Sequence, residues 1–349
     1  MPALSPGRRG ANGGARARAA ARPYACRVRR PPSSSVSAQA LLTPRMAALL
    51  ERIRRADRPG FETMSPREAR IAYTVAAEVL EPPRAPLPRV EEIALPGADG
   101  VTLPARLYAP SHGVLPVLLY LHGGGFTIGN LETHDSLCRQ LALHSGAAVI
   151  ALDYRLAPEH RFPTAVDDCW AALQALARPE TGKRLGLDTA RLAVGGDSAG
   201  GTLSAVCALM ARDAGLKLAL QVLITPGTIA HADTPSHARF AHGFLLEKQT
   251  VAWFFDNYID ATDRTDWRFA PALAPDHEGV APACLVVAEC DPLVDEAVAY
   301  GDILRSAGVA VDLEFYRGVT HDFIKMGRML PEAAQARQAI ADALEKAFE

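Results

Sequence analysis

The pentapeptide Gly196-Asp197-Ser198-Ala199-Gly200 follows the apolar run Leu192-Ala193-Val194 and leads into a helical stretch. Gly-x-Ser-x-Gly between a strand and a helix reads as a nucleophile elbow, a turn so crowded that only small residues beside the serine let strand and helix pack. The serine hydroxyl then stands free at the carboxyl end of the strand. A glycine-rich chain also produces this pattern as an ordinary tight turn, so the pentapeptide constrains the fold only together with its context. The context it demands is a parallel sheet whose strands alternate with helices.

Apolar runs of strand length recur at Glu92–Leu95, Val101–Tyr108, Leu115–His122, Ala147–Tyr154, Leu192–Gly196, Leu218–Thr225, Cys284–Cys290 and Val311–Tyr316. Helical stretches at Leu131–His144, Thr164–Ala177, Thr202–Ala214, Glu296–Ala307 and Glu332–Phe348 separate the later ones. The first strands are joined by turns alone, as an antiparallel pair would be. The later runs are near-continuously apolar and alternate with helices, the pattern of a buried parallel sheet. Eight strands in this order predict an α/β class chain with the α/β-hydrolase fold: a mostly parallel eight-stranded sheet with helices on both faces, the segments outside the alternation being free to form a helical cap.

The domain reading divides the chain into three parts. Residues 1–45 carry nine arginines and no acid, a basic leader too poor in apolar surface to fold alone. Three readings of it stand: an unstructured tail, a gene start placed too early with Met46 as the true beginning, or an organellar transit peptide. Residues 46–90 are N-terminal cap helices, with Leu49, Leu50 and Ile53 on one face, a capped second start at Ser65-Pro66-Arg67-Glu68, and a proline-rich break after Glu81. Residues 91–349 are the catalytic domain, with a cap insertion at about 227–265 that contains the aromatic helix around Trp253, Phe254, Phe255 and Tyr258. These aromatics serve either core packing or the underside of a lid.

With the leader removed from the balance, the body is acidic, which argues against nucleic acid as a partner. No stretch is long and apolar enough for a membrane span. Six cysteines (Cys26, Cys138, Cys169, Cys207, Cys284, Cys290) show no paired spacing and read as buried free thiols in a reducing, cytoplasmic compartment. The histidines include no His-x-x-x-His pair, so neither a metal nor another cofactor is expected.

A serine hydroxyl needs a base to take its proton, and the base needs an acid to fix its tautomer. In this architecture the chain order is Ser, acid, His, each on a turn after a late strand. Asp291 follows the strand Cys284–Cys290, and His321 follows the strand Val311–Tyr316. Asp295, one helical turn past Asp291, is the rival acid; Asp291 is preferred because it lies nearer the strand end. Asp322 is adjacent to His321 in sequence and carries little weight as the acid. The oxyanion of acyl transfer needs donors already in place. Consecutive glycines after the strand Leu115–Tyr120 let bare N–H groups of Gly124 and Gly125 converge on one oxygen, joined by the N–H of Ala199.

These residues resemble the bacterial hormone-sensitive-lipase-like carboxylesterases, over roughly residues 46–345. The resemblance rests on His122-Gly123-Gly124-Gly125, Asp153-Tyr154-Arg155-Leu156-Ala157-Pro158-Glu159-His160, Gly196-Asp197-Ser198-Ala199-Gly200, Asp291-Pro292-Leu293-Val294-Asp295 and His321. It implies Ser198 as nucleophile, His321 as base, Asp291 as its partner, short- to medium-chain acyl esters as small-molecule substrates, and no cofactor. It also implies dimerisation through a sheet edge, an expectation of a homodimer here. Arg155 and Glu159 are expected to tie a loop beneath the oxyanion turn. Two departures are visible: Thr225-Pro226-Gly227-Thr228 where the family has Tyr-Pro followed by an acid, and His321-Asp322-Phe323 where it has His-Gly-Phe. Beside the serine carboxylesterase reading stand an amidase or aryl formamidase with the same triad, and a non-catalytic small-molecule receptor.

Overall fold

In the computed structural model, which describes residues 37–349, eight strands form one sheet in the order β1-β2-β4-β3-β5-β6-β7-β8. They are β1 (Arg89–Pro96), β2 (Thr102–Ala109), β3 (Leu115–Leu121), β4 (Ala148–Leu152), β5 (Leu187–Asp197), β6 (Gln221–Ile224), β7 (Ala283–Cys290) and β8 (Val311–Thr320). β2 pairs antiparallel with both β1 and β4, and every other pairing is parallel. The mixture follows from the connections: a turn joins β1 to β2, whereas helices carry the chain between the central strands.

Ten helices accompany the sheet among the described residues: α1 (Pro44–Arg55), α2 (Pro66–Leu80), α3 (Asp135–Ser145), α4 (Thr164–Leu176), α5 (Pro179–Leu185), α6 (Ala199–Asp213), α7 (Pro235–Arg239), α8 (Lys248–Tyr258), α9 (Val294–Ser306) and α10 (Pro331–Phe348). The sheet is covered on both faces. Val117, Leu119 and Leu121 of β3 pack with α4, α6 and α9, while the alternate residues Leu118 and Tyr120 pack with α3 and α10. Side chains alternate across a strand, so a strand buried on both sides is apolar along its length, as β3 and β4 are; in β6 the one polar residue, Gln221, is buried with its amide donating to Ala281 O.

The strands lie where the apolar runs place them, and differences fall at element ends. α6 starts at Ala199, earlier than the periodic signal, because Gly200 and Gly201 carry no side chain to mark a face. α5 was not anticipated: it buries only Gly182 and Leu185 and so has no stripe. α1 begins at Pro44, with the Thr43 hydroxyl capping Met46 N–H and Thr43 N–H donating to Gly318 O. Residues 37–45 of the stretch read as basic leader therefore belong to the ordered body, and residues 1–36 lie outside the described residues. α2 starts on the anticipated cap, Ser65 and Glu68 each bonding the other's N–H. No helix among the described residues is long and apolar enough to cross a membrane. Cys138, Cys169, Cys207, Cys284 and Cys290 are buried and free; Cys26 lies outside the described residues.

Candidate active site

Ser198 occupies φ 53°, ψ −121° between β5 and α6, a positive φ that a non-glycine residue adopts only where its surroundings enforce it. Its N–H is held by Ile224 O at 2.8 Å. The crowding is measurable: a Cβ on Gly196 or Gly200 would stand 2.1 or 1.9 Å from Leu121 O. Small residues at both positions are what let β3, β5 and α6 meet.

β7 and β8 bring the other two groups together. Cys290 pairs with Thr320 across the sheet, so the next residues, Asp291 and His321, leave it side by side. A shift of register before Cys290 lets β8 run to Thr320, past the anticipated end at Tyr316. His321 Nδ1 lies 2.7 Å from Asp291 Oδ2, and Nε2 lies 2.9 Å from Ser198 Oγ. Facing a carboxylate, Nδ1 carries the proton, which leaves Nε2 free to accept from the serine. Asp291 is 1% exposed, and its other oxygen accepts the Leu293 N–H at 2.9 Å. Burial opposes a charge on His321, but the Asp291 carboxylate outweighs it, with Asp322 and Asp197 adding, and raises its pKa to about 9.

The rival Asp295 points away. Its Oδ2 accepts the Ser236 N–H at 2.8 Å, so it pins the start of α7. Glu296 beside it is buried and takes the Thr228 N–H at 2.6 Å and His237 Nε2 at 2.8 Å. These two acids of α9 hold the segment that begins Gly227-Thr228, where the family's own acid is missing.

Gly124, Gly125 and Ala199 present backbone N–H groups that have no acceptor among the described residues. Gly124 and Gly125 have φ of 120° and 56°, and a Cβ on Gly125 would lie 2.1 Å from the Phe254 ring. Glycine is required there twice over, by conformation and by space. His122 serves as scaffold: its Nδ1 donates to Gly123 O at 2.8 Å and its ring stacks on Tyr154 at 4.3 Å. Burial, with His134 nearby, pushes its pKa down to about 3, so it stays neutral.

Sequence reasoning passed over Asp197, the variable position of the pentapeptide. It is fully buried and accepts from the Tyr120 hydroxyl at 2.6 Å, the Gly123 N–H at 3.1 Å and His134 Nε2 at 3.2 Å. Burial alone would raise its pKa, but His134, Lys325 and the Tyr120 hydroxyl hold it below the usual carboxylate range. One buried anion thus bolts the elbow to the glycine loop. An acid in an elbow, with a tyrosine in β3, was the available signal.

The expected Arg155–Glu159 tie divides in two. Arg155 grips Asp168 of α4 at 2.7 and 2.9 Å, while Glu159 pairs with Arg70 of α2 at 2.6 Å. Arg70 also donates to Thr127 O and Ala157 O, and Ala157 N–H donates to Phe126 O. The loop does sit against the glycine turn, but Glu159 and Arg70 fasten α2 to it. A long-range partner on α2 is invisible to local spacing.

Above the site opens a cavity of about 1270 Å³ bounded by Ser198, His321, Gly124 and Gly125 below and by apolar groups of α1, α2 and α8. The aromatics of α8 divide between the two roles weighed for them: Tyr258 stacks on Phe126 at 4.0 Å in the core, and Phe254 lines the cavity. The Thr250 hydroxyl donates to Glu62 at 2.9 Å and joins α8 to the segment before α2. Among the described residues no cluster of His, Cys, Asp and Glu is arranged to hold a metal.

Comparison with known proteins agrees with this fold. The family model for the alpha/beta hydrolase fold matches residues 118–325. The chain is 45% identical to the ethyl acetate hydrolase of Pseudomonas putida over 264 residues, 74% of this chain and 82% of that protein. It is 40% identical to the carboxylesterase NlhH of Mycobacterium tuberculosis over 268 residues, 74% of this chain and 83% of that one. Among solved structures, an alpha/beta hydrolase enzyme from the metagenome of Lake Arreo superposes with a TM-score of 0.84 at 40% identity, covering 88% of this chain and 99% of that chain. The hyperthermophilic esterase of Pyrobaculum calidifontis gives 0.82 at 36% identity, covering 87% and 98%. The family model and these relatives together show the family: the chain belongs to the α/β-hydrolases, among the hormone-sensitive-lipase-like carboxylesterases.

Proposed function

We propose that Ser198, His321 and Asp291 cleave a carboxylic ester through an acyl-enzyme. The observation that carries this reading is the continuous relay of 2.9 and 2.7 Å from Ser198 Oγ through His321 to Asp291, beside three N–H groups without acceptors among the described residues. Ser198 Oγ attacks the carbonyl carbon as its proton passes to His321 Nε2. The oxyanion is held by the N–H groups of Gly124, Gly125 and Ala199, the last at the positive end of α6. His321 returns the proton to the departing alcohol, and a water repeats the sequence to release the acid. Asp291 stays ionised and stabilises the imidazolium. Every group required is on the chain, so no cofactor is invoked.

We infer a three-part organisation: a basic leader, cap helices in the region 46–90, and a catalytic domain whose insertion at about 227–265 completes the cap. In support, α1, α2 and α8 wall the cavity. Substrates are esters with short- to medium-chain acyl groups, the range the family resemblance implies; Phe254, packed against Gly125, bounds the cavity beside Ser198. The relative named ethyl acetate hydrolase fits this class. Five buried, unpaired thiols support a cytoplasmic setting. β8 is an edge of the sheet and exposes Phe315, which supports a homodimer formed there.

A panel of p-nitrophenyl esters from acetate to palmitate tests the reading. Rates peak at short to medium length and vanish in Ser198→Ala. A palmitate optimum rejects the assigned acyl range, and a Ser198→Ala protein as active as the parent rejects the mechanism.

A further inference from the structure

Asp322 stands where the resemblance has glycine. Its backbone is left-handed, φ 62°, ψ 9°, a conformation that glycine adopts freely and aspartate tolerates. A carboxylate at this position lies beside the imidazole: Asp322 Oδ1 is 3.9 Å from His321 Nε2, the nitrogen that faces Ser198. An anion at that distance steadies the imidazolium formed when Ser198 gives up its proton. An anion that closed to hydrogen-bond distance would hold the same proton back from the departing alcohol. Separation decides which effect wins.

The separation is enforced from the cap. Tyr73 of α2 donates its hydroxyl proton to Asp322 Oδ2 at 3.2 Å. Lys325 Nζ donates to the Tyr73 oxygen, with the ammonium 4.2 Å from the ring centre. A cationic donor on the phenol oxygen makes its O–H a stronger donor in turn. Both residues are buried, and burial keeps the phenol protonated. The proposed esterase mechanism uses neither.

We propose that Tyr73, backed by Lys325, is a positioning residue that holds Asp322 off His321 Nε2, and that Asp322 at this distance supports the imidazolium. The proposal rests on the triad reading. The other charges facing His321 are Asp291 on the loop after β7 and Asp197 at the end of β5. Asp197 and Glu81 face Tyr73, and His134 faces Asp322. None of them contacts Nε2, so Asp322 is the carboxylate whose distance matters at that edge. Because Tyr73 belongs to α2, the seating of the cap is felt at the histidine.

The test is the pH profile of p-nitrophenyl butyrate hydrolysis for the parent, Asp322→Asn, Tyr73→Phe and the double variant, with melting curves to verify folding. Asp322→Asn moves the ascending limb of kcat/KM to lower pH by about one pH unit, because a charge favouring imidazolium is lost. Tyr73→Phe keeps the ring but frees the carboxylate; the limb moves to higher pH and the plateau kcat falls about tenfold, with KM less affected. The double variant behaves as Asp322→Asn, since without the carboxylate nothing needs holding. Limbs that coincide with the parent, or a Tyr73→Phe limb that moves down, overturn the proposal. Should Asp322→Asn fold poorly, Asp322→Gly suits the same backbone and is read identically. Ser198→Ala is assayed in parallel: if it is inactive while the limbs stay put, only the positioning role falls, and if it stays active the triad reading falls as well.

Discussion

Asp291 and His321 follow paired residues on adjacent strands, and their side chains close to 2.7 Å through Oδ2 and Nδ1. The relationship is built by the sheet, so it needs no substrate to form. Its electrical consequence is that His321 is easier to protonate than a free histidine despite its burial.

The pH dependence follows from that sign. Nε2 must be neutral to accept the serine proton, so kcat/KM rises with pH along a limb that lies above 6.5, the ordinary value. Asp291→Asn moves the limb down and lowers kcat by about 10³–10⁴-fold, as expected when the histidine loses its orienting anion. The stability contributed by the pair is fully present below pH 6.5 and is lost as pH climbs through about 9. Denaturant melts of parent and Asp291→Asn therefore converge toward alkaline pH; a gap that widens instead contradicts the assignment.

Tyr120→Phe removes one of three donors to the buried Asp197 carboxylate. Leaving a buried charged acceptor short of a partner costs about 1–3 kcal/mol. Urea melts should register that loss, together with a fall in kcat, because Asp197 also carries Gly123 and the turn beyond it. Unchanged stability would mean that the Asp197 anchor is not strained by losing the hydroxyl.

Gly125→Ala introduces a methyl 2.1 Å from the Phe254 ring at a φ of 56°. If Gly125 N–H is the oxyanion donor proposed above, displacing it lowers kcat about 10²-fold. Adding Phe254→Ala removes the clash but not the backbone strain, so steady-state assays of the double variant recover part of the rate. No recovery would place the whole effect in the backbone.

Asp295→Ala separates the two acids. Its partner is the Ser236 N–H and not the imidazole, so a loss of about 1 kcal/mol in stability is expected, with the pH limb unmoved. A collapse of kcat like that of Asp291→Asn would reverse the assignment of the acid.

Much of this was readable from residue order. Eight apolar runs marked eight strands because the central ones are buried on both faces. Ser198, Asp291 and His321 stood out because each follows a strand, and the fold sets their side chains within hydrogen-bond distance of one another. What escaped was held by contacts distant in sequence: Arg70 with Glu159, Tyr73 with Asp322, and Asp197 with Tyr120 and His134. The α5 helix escaped for a different reason, having no apolar stripe to display. A polar residue reveals its partner only when the fold sets them face to face, and no periodicity encodes that.

The most direct measurement is peptide mapping by mass spectrometry after treatment with a fluorophosphonate. A single adduct on Ser198, absent from Ser198→Ala and slowed in His321→Ala, is the predicted result. An active protein that stays unlabelled, or that carries its adduct on another residue, would contradict the account.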